Sequence, residues 1–127
     1  MANFVLLVTS PHYDSNSANA VKQFTLAALD AGHNVTVFFY NAGVTHANKF
    51  NLPQAGEPSS SDIWQHLYDK QVPLLVCATA AGRRGIIDDI EAKQHHLKES
   101  SLHPVFSLSG LTELAALSSQ ADRMVQF

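Results

Sequence analysis

Three short apolar runs constrain this chain more than any other feature: Asn3 to Thr9, Asn34 to Tyr40 and Val72 to Ala78. Each is rich in β-branched or aromatic residues, lacks polar alternation and stops after strand length, the pattern of a strand buried on both faces. Segments long enough for a helix lie between them. From Ser15 to Ala31, Ala18, Val21, Thr25 and Ala28 recur at three- and four-residue steps, with Phe24 and Leu29 alongside, and Gly32 follows where a helix stops. The first forty residues therefore spell strand, helix, strand, which implies a parallel pair, because parallel strands need a crossover of this length.

The rest of the chain follows the same alternation. Gly43 to Lys49 suits a short helix, whereas Asn51 to Ser61, with Pro53, Gly56, Pro58 and three serines, reads as a surface loop. Ser61 or Asp62 is placed to cap a helix through about Lys70 that buries Ile63, Trp64 and Leu67. After Ala78, the small, glycine-punctuated and basic stretch from Thr79 to Gly85 reads as a loop, and Ile86 to about His96 as an irregular helix. Pro104 to Leu108 is a fourth candidate strand. Ser109 then caps a helix through Leu117, and Asp122 to Phe127 alternates like a terminal strand. The expected architecture is one α/β domain spanning residues 1–127: a three-layer domain with a mainly parallel sheet and helices on both faces.

Composition removes several function classes. With 127 residues, 46% of them hydrophobic, the chain has material for one core that needs neither disulfide nor structural metal. Eight Lys+Arg against eleven Asp+Glu give a net charge of −3, and no more than two basic residues adjoin, so the electrostatic footprint of nucleic-acid binding is missing. No apolar run nears the ~20 residues of a bilayer span, and no basic region precedes the first one. A soluble, cytoplasmic protein is expected, with no membrane or direct nucleic-acid partner.

A single cysteine, Cys77, stands at the carboxyl end of the third apolar run. In a parallel α/β sheet, ligands and chemistry gather outside that end of the strands. One cysteine forms no disulfide within the chain, so Cys77 either packs as a small hydrophobe or reacts alone. Reaction requires thiolate, of which a free thiol with a pKa near 8.5 holds only about 3% at pH 7. Arg83 and Arg84, together with backbone N–H groups following the strand, are the candidate supports for such a charge. The two arginines also read as an ordinary solvated turn. The seven histidines never take the i, i+4 spacing of paired helix ligands, and no HExxH occurs, so no metal site is expected. Neither GxGxxG nor GxxxxGK[ST] is present, which leaves no nucleotide cradle and no expected cofactor. Ser107 and Ser109 lack the GxSxG elbow of a hydrolase. Phe38, Phe39, Tyr40 and Trp64 read as core or subunit-interface aromatics.

Four ordered blocks give the chain a resemblance to the TusD/DsrE family of small sulfur-relay proteins, over nearly its whole length. They are residues 37–48 (VFFYNAGVTHAN), 77–88 (CATAAGRRGIID), 106–111 (FSLSGL) and 121–127 (ADRMVQF). Thr79 and Gly82 depart from the alanine-rich run associated with the family after its cysteine. The resemblance implies that Cys77 falls on the cysteine that accepts sulfane sulfur as a persulfide, making the chain a sulfurtransferase without a cofactor. It also implies TusB-like and TusC-like sister subunits in a heterohexamer, a TusA-like donor, a TusE-like acceptor, and delivery of sulfur to 2-thiouridine at the tRNA wobble position. The family also contains DsrE, which works with DsrF and DsrH in dissimilatory sulfur oxidation. Two further readings of the residues stand beside these: a noncatalytic scaffold subunit with a buried Cys77, and a small-molecule-binding domain using Arg83 and Arg84. The loop from Asn51 to Ser61 and the turn after Cys77 are the expected docking surfaces.

Overall fold

The computed structural model describes all residues from Met1 to Phe127. The apolar runs become strands β1 (Asn3–Val8), β2 (Asn34–Phe39) and β3 (Leu74–Cys77), joined by β4 (Ser107–Ser109) and β5 (Arg123–Gln126) in one sheet of order β4-β3-β2-β1-β5. Every pairing is parallel. The expectation of a mainly parallel sheet is thus met by an all-parallel one. Five helices connect the strands: α1 (Ser17–Asp30), α2 (Ser60–Asp69), α3 (Ala78–Gly82), α4 (Asp89–Gln94) and α5 (Leu111–Gln120).

The strand order explains the layers. From β1 to β4 the chain advances in one direction across the sheet, so right-handed crossovers place α1 and α2 on one face, where they pack together. From β4 it returns to the far edge beside β1, which puts α5 on the opposite face, against β1. Register assigns the side chains. Val8 lies beside Phe39, and Phe39 beside Val76, on the α1/α2 face. There Phe39 meets Trp64 edge-on at 5.1 Å and Phe106 at 5.2 Å, while Phe4 meets Phe24 of α1 at 5.3 Å. Phe38, Phe39, Trp64 and Leu67 are fully buried, each contributing about 1.5–3 kcal/mol. The opposite face carries Val5, Leu7, Thr36, Phe38, Leu75 and Cys77, and α5 covers it with only the partly buried Leu114 and Leu117.

Local differences from the sequence reading have identifiable causes. Ala78, read as the end of the strand, and Thr79–Gly82, read as loop, form α3, a five-residue helix with Ala80 and Ala81 buried. The helix expected from Ile86 to His96 shrinks to α4, which begins at a capping box between Asp88 and Glu91. Gly110, not Ser109, is the cap residue of α5, since Ser109 extends β4 and its hydroxyl donates to Glu113 Oε2 at 2.6 Å. The segment expected to be helical from Gly43 is a 3₁₀ helix, Asn41–Ala47. Gly43 is obligatory there: a Cβ would lie 1.9 Å from the Val8 carbonyl oxygen.

Candidate functional site

The candidate site lies at the carboxyl edge of the sheet. Cys77 ends β3, pairs across the ladder with Ser109, and is followed at once by α3. Because β3 lies between β2 and β4, the segments leaving those neighbours flank the cysteine. Tyr40 and Asn41 follow β2, and Gly110 and Leu111 follow β4. With Cys77, Thr79, Ala80, Arg83 and Arg84, they line a cleft of about 450 Å³. The structure therefore brings together all three residues singled out in the sequence.

Their roles in the geometry differ. Cys77 is only 3% exposed and lies in the cleft as a free thiol. Arg84 Nη1 donates to the Ala80 carbonyl at 3.0 Å, fastening the guanidinium to α3. Arg83 is exposed and makes no ion pair; the single ion pair of the chain joins Lys49 to Glu99. Two cations thus border the cleft of a chain with net negative charge.

The sequence reading missed Tyr40, Asn41, Gly110 and Leu111. Tyr40, grouped there with the core aromatics, is partly exposed and belongs to the cleft. Asn41 has φ of 51°, a left-handed conformation that asparagine tolerates better than most residues, and this turns the chain sharply out of β2. An asparagine directly after a strand was the available signal. The loop from Asn51 to Ser61, expected as a docking surface, lines with His12 and Tyr13 a cleft of about 370 Å³ separate from that of Cys77.

The Cys77 cleft contains neither carboxylate nor imidazole. What it holds is a free thiol, with Arg83 and Arg84 in the same lining. No cluster of three or more His, Cys, Asp or Glu side chains is arranged to hold a metal ion. No helix is long and apolar enough to cross a membrane.

One buried histidine works structurally. His46, 2% exposed, contacts Ser17 Oγ at 3.0 Å and the Ser10 carbonyl at 3.1 Å through Nε2. Its ring meets Phe39 and Trp64. Burial, with the nearby His12 charge as a smaller contribution, pushes its pKa down from 6.5 to about 4 against the opposing Ser10 carbonyl. It stays neutral and clasps the ends of β1, α1 and the 3₁₀ segment together.

Comparison with known proteins places the chain among relatives. The model of the DsrE/DsrF-like family matches residues 2–127. A protein of Klebsiella pneumoniae (strain 342) named sulfurtransferase TusD is 44% identical over 126 residues, covering 98% of each chain. One of the same name from Yersinia pestis (strain Pestoides F) is 45% identical over 126 residues, covering 98% of this chain and 96% of its own. Among solved structures, the ychN protein from E. coli superimposes with a TM-score of 0.79 at 20% identity, over the full length of both chains. A Methanobacterium thermoautotrophicum protein of unknown function gives 0.64 at 12% identity, again over both full lengths. At these identities the two structures speak for the fold alone.

Proposed function

The chain belongs to the DsrE/DsrF-like family, and on that premise we propose that it is a sulfur-relay sulfurtransferase that carries sulfane sulfur on Cys77. The observation that carries this reading is the cleft itself: the only cysteine lines it together with two arginines, and no carboxylate or imidazole joins them. In the proposed step the Cys77 thiolate attacks the outer sulfur of a donor persulfide, R–S–SH. A bond forms between Sγ and that sulfur, the donor's S–S bond breaks, and its electron pair leaves with the donor as thiolate. Sulfur changes carrier without net oxidation, and the same step in reverse sense delivers it to the next thiol. A lone cysteine suits this task, because a neighbouring thiol would collapse the persulfide to a disulfide.

We extend the proposal to the partners implied by the family. TusB-like and TusC-like sister subunits in a heterohexamer, a TusA-like donor and a TusE-like acceptor fit a chain whose α5 face is thinly covered, with Leu111 48% and Met124 40% exposed. The destination proposed is 2-thiouridine at the tRNA wobble position, in the cytoplasm; a DsrE-like place in sulfur oxidation is the alternative. The 44–45% relatives named sulfurtransferase TusD support the first.

The test is mass spectrometry after incubation with a cysteine desulfurase, cysteine and a TusA-like donor. A reducible gain of one sulfur atom on the Cys77 peptide, absent from Cys77→Ser, is the expected result. Sulfur accepted equally by Cys77→Ser overturns it. The low exposure of Cys77 favours one competing reading, a noncatalytic scaffold; a native thiol resistant to alkylation, with normal pathway output from Cys77→Ser, would establish that instead.

A further inference from the structure

The connection from β1 to α1, Ser10 to Asn16, is a strap tied down through two adjacent residues of the 3₁₀ segment, Thr45 and His46. At its start the Ser10 carbonyl meets His46 Nε2 at 3.1 Å, and just beyond its end Ser17 Oγ meets the same nitrogen at 3.0 Å. In its middle the His12 N–H donates to Thr45 Oγ1 at 3.0 Å. From Pro11 to Asn16 that is the only hydrogen bond to a distant part of the chain; the others join Ser15 to Pro11 and Ser17, or start α1 at the Asn16 carbonyl. Tyr13 to Asn16 are exposed, so packing adds little, and Asp14 turns the strap in a left-handed conformation with φ of 62°. His12 and Tyr13 form one wall of the cleft of about 370 Å³, and the loop from Asn51 to Ser60 forms the other.

His46 suits this task only while neutral. Its Nε2–H donates to the Ser10 carbonyl, whereas its Nδ1 is buried without a partner, and the ring centroids of Phe39 and Trp64 lie 5.8 and 5.2 Å away. A proton on Nδ1 finds no acceptor there, and the ring reaches water only by swinging out, which breaks both Nε2 contacts. The surroundings do not compensate. Of the titratable side chains on the elements that touch the ring, His12 and Asp14 lie on the strap, Lys22 and Asp30 on α1, Asp62, His66, Tyr68 and Asp69 on α2, and none on β2. His12 is the one whose charge reaches His46, and it opposes protonation; no carboxylate pairs with the ring. We infer that His46 is an acid-operated latch, whose protonation frees the strap from Ser10 to Asn16, and with it the His12–Tyr13 wall of the second cleft, while the sheet stays folded. The inference is independent of the chemistry at Cys77. Burial holds the His46 pKa at about 4 in the closed state; with the ring back at 6.5 in the open one, the opening constant of the strap grows about 25-fold from pH 7.5 to pH 5.

Amide hydrogen exchange of the full chain, read by mass spectrometry and corrected for intrinsic rates, reports on the latch through the His12 amide, the strap's one donor to a distant partner. In wild type, opening of the peptide that holds the strap should rise about 25-fold between pH 7.5 and pH 5. That exchange should not respond to urea below the unfolding transition, because a local opening exposes little surface. His46→Gln, whose amide still donates to Ser10 but takes up no proton, should open its strap equally at both pH values. Equal strap opening at the two pH values in wild type overturns the inference. So does exchange at pH 5 that climbs with urea as steeply as that of the β2 peptide, since the whole chain is then unfolding. A rise with acid kept in full by His46→Gln overturns it as well. The two wild-type results decide the matter even where the variant fails to fold.

Discussion

Acid should loosen the carboxyl edge of the sheet through one residue, His46. Its Nε2 faces the Ser10 carbonyl, so the ring is held as the neutral Nε2–H form, and its Nδ1 has no partner among Phe39 and Trp64. A proton added at Nδ1 would place an unsolvated charge there, next to His12. The pKa of about 4 in the folded chain, against 6.5 for the free side chain, sets the sign. Between these values the unfolded chain binds the proton and the folded chain does not. Stability is therefore full above pH 6.5 and is lost as pH falls from 6.5 towards 4. Linkage over that window gives a loss of about 2 kcal/mol between pH 7.5 and pH 5, and about 3 kcal/mol by pH 4. The assay is urea denaturation at closely spaced pH values for wild type and His46→Gln, whose amide still donates to Ser10. The variant starts less stable, but its curve should be flatter by about 2 kcal/mol over the same interval. Parallel curves would refute the assignment of the acid sensitivity to His46. His103, whose pKa is also lowered by burial, acts in the same direction in both proteins and cancels from the comparison.

Two further substitutions test the packing that presents the cleft. Gly43→Ala drives a methyl against the Val8 carbonyl and should cost about 3 kcal/mol, read as a lowered denaturation midpoint with an unchanged m-value; a midpoint within error of wild type would contradict the close approach. Asp88→Ala removes a cap that accepts from Glu91 N at 2.9 Å and should lower stability by about 1 kcal/mol, or roughly 4 °C in a thermal melt, while leaving sulfur loading on Cys77 unchanged.

Much of this architecture is legible in the sequence because the strands β1, β2 and β3 are buried on both faces, and continuous β-branched and aromatic runs have few other uses. The absence of that property hides β4. Only three residues long and at the edge, it carries two serines and signals itself mainly through the turn before it. α3 is concealed for a different reason. Five small residues have no amphipathic period, so the helix depends on tertiary position rather than on local pattern. Cys77, Arg83 and Arg84 are close in sequence and easily nominated together. Tyr40 and Gly110, each more than thirty residues from Cys77 on opposite sides, reach the cleft only because β2 and β4 are the two neighbours of β3, and no local signal encodes that order.

A chain with a well-formed cleft can still lack catalytic spacing in its sequence. Hydrolysis or metal catalysis requires several side chains at fixed mutual distances, and such constellations often leave repeated spacings in a sequence. Transfer of sulfane sulfur between thiols asks for one nucleophile, a place for negative charge, and an opening that admits another sulfur. Here the proposed nucleophile is a single residue, Cys77, and the rest of its cleft is drawn from the ends of β2 and β4 and the turn after β3. Neither leaves a motif. The parallel order of the sheet supplies the remainder, since it brings the end of β3 and the start of α5 to the same edge. The signature of the proposed function is thus divided between one cysteine and a topology, and it becomes visible only when the two are read together.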